Sequence, residues 1–193
     1  PPQITTPQPG EKLTRTATLR GEGFPSAQVE IWFKGADSPW LSDITVPASG
    51  NWQREVTLPV GNYIIQARQL FTENNKTHES AFTEDLTYDV VPAAPFVETP
   101  VEGEQVGRQV VVSGFGVPGD TVTVTLGSAT PSAVVLEDRT WSINVEAQTD
   151  GDMVLQVTSV LDGFESGAAS RKVMAGLYLP IIAEPAAGRW VQD

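Results

Sequence analysis

The 193-residue chain has no cysteine and a single histidine. No disulfide can staple it, and the common zinc, haem and iron–sulfur centres lack their ligands. Basic residues are scarce, with 12 Lys and Arg against 24 Asp and Glu and a net charge of −12. Nucleic acid and anionic membranes are held by stripes of Lys and Arg, so neither is expected as a partner. Apolar runs are short, and none approaches the roughly 20 residues that span a bilayer. Helical periodicity is missing as well, and no cofactor is implied. What remains is an acidic polypeptide rich in turn formers, with 17 glycines and 15 prolines.

One short pattern occurs three times. Pro2, Ile4, Pro7 and Gly10 form the first copy; Pro95, Val97, Pro100 and Gly103 the second; Pro180, Ile182, Pro185 and Gly188 the third. All read Pro-x-[Ile/Val]-x-x-Pro-x-x-Gly, which predicts a tandem array. Repeat 1 covers 1–92, repeat 2 covers 93–179, and 180–193 opens a third. The chain begins and stops inside this pattern, as expected of a piece of something longer.

Between the copies the apolar residues alternate with period two. Leu13, Arg15, Ala17 and Leu19 do so in Glu11–Gly21, and Val29, Ile31 and Phe33 share one face of a strand over Gln28–Phe33. Further strands are predicted over Leu41–Val46, Trp52–Leu58, Tyr63–Phe71 and Ala81–Val91, after an edge strand at Pro2–Thr6. The polar stretch Thr72–Glu79 is expected to be a mobile loop. Repeat 2 runs in parallel: Val122, Val124 and Leu126 stand for Val29, Ile31 and Phe33, Trp141 for Trp52, Met153 for Tyr63, and Ser166 for Ser80. Deletions relative to repeat 1 fall near Lys34–Pro39 and Thr72–Glu79, where surface connections tolerate them. About seven short strands per repeat, divided by Gly/Pro/Asn/Asp turns, predict an antiparallel β-sandwich. Trp52 and Trp141 belong in the two cores. Arg54 shares a face with Trp52 and is expected at the rim, its charge in solvent.

These residues carry a resemblance. The tripled motif, the run Ser113, Gly114, Gly116, Pro118, Gly119, Thr121, Val122, the strand-opening tryptophans, and Gly61 with Tyr63, Ile65, Ala67 and Ser80 together resemble bacterial immunoglobulin-like tandem repeats of large secreted or surface proteins, many of them adhesins. The resemblance covers nearly the whole chain. It implies two tandem immunoglobulin-like antiparallel β-sandwiches, an extracellular or cell-surface location and a spacer or stalk role without catalysis. Short proline-bearing links at 91–95 and 175–180 predict repeats joined end to end into a rod. Neighbouring repeats of the same chain are then the first partners, and the fragment is expected to be a monomer.

Gly114, Gly116 and Gly119 spell G-x-G-x-x-G, but a strand follows where a dinucleotide loop needs a helix. His78 would have to serve any Ser-His-Asp triad, yet it falls in a polar loop with no counterpart in repeat 2. Asp150, Asp152, Asp162, Glu98, Glu102 and Glu104 are scattered acids, short of the clustered oxygens calcium needs. Asn75 to Thr77 is a glycosylation sequon, expected by chance. Trp32 is the most informative. Val29, Ile31 and Phe33 point inward, so Trp32 points out, beside Ile64 and Arg68 of the neighbouring strand and near Trp40. Trp32, Trp40, Ile64 and Arg68 form the candidate platform for a host or matrix glycan or a protein partner. The alternative function is accordingly a glycan- or protein-binding accessory module, such as one attached to a secreted enzyme.

Overall fold

The prolines and glycines of the tripled pattern have defined structural jobs in a computed structural model of the chain, which describes residues 1–176. The third copy of the pattern, and Trp190 beyond it, lie outside the described residues. In the first copy, Ile4 sits on β1 (Gln3–Thr6) and points into a core, and Pro2 and Pro7 are buried beside it. Gly10 takes φ +90°, a left-handed turn that leads into β2 (Lys12–Leu13). The Thr6–Pro7 bond is cis, and so is Thr99–Pro100 in the second copy. The pattern therefore marks the point where the chain leaves one sheet for the other.

The first sandwich continues with β3 (Thr16–Glu22), β4 (Gln28–Phe33), β5 (Leu41–Thr45), β6 (Asn51–Thr57), β7 (Gly61–Glu73), β8 (Lys76–Glu79) and β9 (Leu86–Val90). One sheet runs β1-β3-β6; the other runs β2-β9-β7-β4-β5, with β8 added to β7. The second sandwich repeats the plan with β10 (Phe96–Thr99), β11 (Glu104–Val106), β12 (Gln109–Phe115), β13 (Thr121–Thr125), β14 (Ser132–Val134), β15 (Thr140–Glu146), β16 (Gly151–Leu161), β17 (Phe164–Glu165) and β18 (Ala169–Ala175). Its sheets run β10-β12-β15 and β11-β18-β16-β13-β14, with β17 on β16. Pairing is antiparallel except that β2 runs parallel to β9 and β11 parallel to β18.

The strand expected over Glu11–Gly21 is in fact two. Leu13 joins the larger sheet beside Val90, while Ala17 and Leu19 join the smaller sheet opposite Val56 and Arg54. Thr14 and Arg15 carry the crossing, with Thr14 Oγ1 donating to Thr16 O at 2.9 Å. The stretch Thr72–Glu79 is a paired hairpin rather than a loop: Thr72 faces Thr77 and Glu73 faces Lys76. Asn74 and Asn75 turn it with φ of 52° and 61°, the positive values that two-residue hairpin turns require. The corresponding hairpin of the second sandwich closes earlier, at Leu161 opposite Phe164, which is where the sequence is shorter. Of Ala81–Val91 only Leu86–Val90 is strand.

Each sandwich holds its own core. Leu19, Val29, Ile31, Trp52, Ile65 and Tyr88 anchor the first, and Val112, Val124, Leu126, Trp141, Ile143 and Leu155 the second. In both, a glycine on the middle strand of the small sheet lies opposite the tryptophan: Gly21 pairs with Trp52 and Gly114 with Trp141. A Cβ on Gly21 would stand 2.1 Å from Gln3 O, and one on Gly114 would stand 1.8 Å from Phe96 O. Only glycine lets the outer strand come this close. Trp141 Nε1 donates to Phe115 O at 3.1 Å, whereas the buried Trp52 Nε1 has no partner within hydrogen-bonding geometry.

Other equivalent positions have kept or changed their chemistry. Ser80 Oγ accepts from Gln69 N and donates to Ala81 O, and Ser166 Oγ accepts from Ser159 N and donates to Gly167 O, so the paired serines do one task. Tyr63 Oη donates to Pro59 O at 2.7 Å and closes the corner before β7. Met153 stands there in the second sandwich, and its sulfur accepts only a long contact of 3.9 Å from Thr149 Oγ1, four residues upstream as Pro59 is.

Candidate functional site

The outer face of the larger sheet in the first sandwich carries the residues singled out by the sequence. Alternation along β4 turns Glu30 and Trp32 away from the core, and β7 places Arg68 opposite Glu30 and Gln66 opposite Trp32. Trp32 Nε1 donates to Glu30 Oε2 at 2.9 Å, and Arg68 Nε donates to the same oxygen at 2.7 Å. Arg68 Nη1 reaches Glu79 Oε2 of β8 at 2.9 Å. The guanidinium also lies against two rings, 5.2 Å from the centroid of Trp32 and 5.0 Å from that of Phe82. Trp32 and Phe82 meet edge to face at 5.8 Å. Arg68 keeps 18 % and Glu30 13 % of their side-chain surface, so the charges are largely desolvated and satisfy one another.

This cluster takes in two of the four residues proposed as a platform. Ile64 is on the same face of β7 and is partly exposed, next to the row in which Lys34 and Gln66 both bond Asp85. Trp40 is elsewhere: it stacks on Phe33, with centroids 4.8 Å apart and planes at 26°, and packs against the core. The loop after β4 folds Trp40 back onto the inward row, because a large ring gains more from burial than from standing beside Trp32. Sequence reasoning missed Glu30, Glu79 and Phe82. The alternation of β4 put Glu30 on the outer face in plain view. Phe82 lies on an irregular segment where no periodicity indicates direction.

Arg54 is half-buried at the rim, as expected, and Nη1 bonds Asp43 Oδ1 at 2.7 Å. That hydrogen bond, aided by the positive charge, holds the Asp43 carboxyl below the usual carboxylate range. Asp138 is lowered in the same way by the hydroxyl and backbone N–H of Thr140. His78 lies on β8 opposite Phe71 and lines a shallow cavity of about 290 Å³ with Phe24 and Phe71. Gly114 to Gly119 runs into β13, a strand, with Gly119 N bonded to Val135 O. Asp150 is paired with Arg108 at 3.2 Å, and Glu102 Oε2 accepts from Lys172 N. Among the described residues no three His, Cys, Asp or Glu side chains gather as a metal site would require.

A buried tyrosine fixes the sheet crossing of the first sandwich. Tyr88 Oη donates to Pro7 O at 2.8 Å. Burial, reinforced by the Glu11 charge, pushes the phenol up to about 12.

No family model matches the sequence, and no curated protein does. Solved structures do match. The chicken interferon gamma receptor alpha chain is 7 % identical with a TM-score of 0.56, over 92 % of this chain and 97 % of that one. The BSP domain of a biofilm-associated protein is 21 % identical with a TM-score of 0.35, over 92 % of this chain and 30 % of that one, so this chain spans under a third of its length. A bacterial ice-binding adhesin of 1.5 MDa is 20 % identical with a TM-score of 0.33, over 86 % of this chain and 60 % of that one. The receptor match shows the fold: two immunoglobulin-like β-sandwiches in tandem.

Proposed function

We propose that the chain supplies spacer repeats to a larger bacterial surface or secreted protein of adhesin type, without catalysis of its own. The repeats are 1–92 and 93–179, and 180–193 opens the next. One observation carries this: the tripled pattern is the structural element by which each sandwich begins, with the same buried prolines, inward aliphatic residue, cis bond and left-handed glycine in both described copies. A repeated opening element propagates an array, and the separate cores let each repeat fold on its own terms. The acidic surface, at −12 overall, keeps such repeats soluble and mutually repelling. The Trp32 cluster fits this role, since its indole N–H and its arginine are taken up within the sheet.

The test is a replacement in the parent protein on the cell surface. Residues 1–176 are exchanged for two unrelated β-sandwiches of equal length, or deleted, and attachment of the cells to their target is measured. A spacer gives attachment that survives exchange and falls on deletion. Loss of attachment on exchange overturns the proposal and makes the repeats themselves the binding element.

A further inference from the structure

The small sheet of the second sandwich has an outer face unlike that of the first. Phe96 on β10 stands opposite Phe115 on β12. Both rings point to solvent, 61 % and 43 % exposed. Their centroids are 6.1 Å apart and their planes differ by 29°. The approach of β10 over Gly114 fixes this pairing, since Phe96 O lies where a Cβ of residue 114 would be. Two residues further along β12 comes Ser113, opposite Ser142 of β15, and beyond it Val111, exposed and opposite Asn144. Strand rise sets these rows about 7 Å apart. Two carboxylates belong to this face, Glu98 in the bulge of β10 beside Ser113 and Glu146 at the end of β15.

The first sandwich provides an internal comparison. At the same register it has Gln3 opposite Glu22 and Glu22 opposite Asn51, followed by Arg20 opposite Gln53. The same backbone thus forms without the rings, so folding does not require them. Exposed apolar side chains that a fold does not need mark a contact surface. No Lys or Arg stands on its three strands, so the face has no basic group for an anion, and its carboxylates can accept hydrogen bonds from hydroxyls. The chemistry it offers is two near-parallel ring faces beside hydroxyls and an amide. A pyranose matches that: its C–H face is apolar and stacks on rings, while its rim of hydroxyls bonds to serine and asparagine side chains.

We infer that the outer face of β10-β12-β15 binds a neutral polysaccharide, with Phe96 and Phe115 as the stacking pair and Ser113, Ser142 and Asn144 as its polar partners. This does not rest on the spacer role, because a spacer array can carry a binding face on one repeat and not on the next.

Affinity electrophoresis of the full chain through gels containing dextran, mannan or xyloglucan, with sedimentation onto cellulose and chitin, tests it. At least one polysaccharide retards or sediments the chain, and added salt leaves the binding unchanged. Phe96→Ala and Phe115→Ala each weaken it about tenfold, the loss of one ring contact, and Phe115→Leu weakens it too, since apolar area without a ring does not stack. Unchanged melting temperatures establish that the variants fold, as expected for exposed positions. The inference is overturned if no polysaccharide in the panel binds, or if binding survives both alanine variants. It is equally overturned if Phe115→Ala abolishes a concentration-dependent self-association while no polysaccharide is bound, which would make the face a contact between copies of the chain.

Discussion

Replacing Gly114 by alanine tests how the second sandwich is closed. The new Cβ would lie 1.8 Å from Phe96 O and 3.0 Å from Trp141 Cζ2. An ordinary C···O contact is about 3.3 Å, so β10 must retreat by roughly 1.5 Å. The obstacle is backbone, which cannot swing aside as a long side chain can. Retreat uncovers Val97, 3 % exposed in the native fold, at a cost of about 1.5–3 kcal/mol. Each ladder hydrogen bond lost between β10 and β12 adds about 1 kcal/mol. The total is on the order of 3–5 kcal/mol, a large share of the roughly 4–12 kcal/mol that a sandwich of this size possesses. At about 4–8 °C per kcal/mol, the transition of the second sandwich falls by on the order of 15–30 °C in differential scanning calorimetry. Gly21→Ala does the same to the first sandwich, where the added atom meets Gln3 O at 2.1 Å and Trp52 Cζ2 at 2.3 Å. Gly107→Ala, with nothing within 4 Å, is the control and stays within about 1 kcal/mol of the parent. A Gly114→Ala protein that melts within a degree or two of the parent refutes the close approach of β10 and the glycine's role in it.

Three further outcomes follow from named contacts. Tyr88 holds its proton up to about 12, while an unfolded tyrosine releases it near 10; the neutral form is the one the fold favours, so this stability is complete below pH 10 and is lost as pH rises towards 12, by on the order of 2–3 kcal/mol. Tyr88→Phe costs about 1 kcal/mol at neutral pH and shows a correspondingly shallower alkaline decline in urea unfolding; an identical decline rules out Tyr88 as its source. Arg54→Ala frees the Asp43 carboxyl, whose signal in an NMR titration moves up towards the normal carboxylate midpoint; an unmoved midpoint means another group sets it. Arg68→Ala strands the mostly buried Glu30 carboxylate and detaches Glu79 and Phe82, so stability falls by about 2–3 kcal/mol and amides of β8 lose exchange protection; protection equal to the parent's shows that the hairpin stands without the cluster.

Much of this architecture is legible in the residues because burial on one face of a strand imposes period two. Val29, Ile31 and Phe33 disclose β4, Val122 and Val124 disclose β13, and both core tryptophans follow from their apolar neighbours. The β7–β8 hairpin was hidden because Thr72 to Glu79 is polar throughout; its pairing comes from backbone bonds and from two asparagines able to take positive φ, neither of which leaves an alternating apolar signature. The division of Glu11–Gly21 between two sheets was hidden for the opposite reason, since alternation runs unbroken through the crossing. At the candidate platform the outward direction of Trp32 was legible, but loops have no period, so nothing foretold that Trp40 would fold onto Phe33 or that Phe82 would return to Arg68. The Phe96–Phe115 pair could not be seen either. The two residues are 19 apart, and only the register of β10 on β12 brings them together.

The parallel pairing of β2 with β9, and of β11 with β18, has a consequence for a chain under tension. Each sandwich finishes on one of these strands and enters the larger sheet on the other, after a single outer strand, β1 or β10, in the smaller sheet; once that outer strand has peeled away, the paired strands run the same way and their loaded ends leave in opposite directions. A pull on both ends then drags the paired strands lengthwise past each other, so their hydrogen bonds resist together instead of opening one after another. Two residue pairs form this seam in the first sandwich, Lys12 with Asp89 and Leu13 with Val90. Three form it in the second, from Glu104 with Val173 to Val106 with Ala175. Stretched in series, the first sandwich gives way at the lower force and lets out its slack while the second still holds.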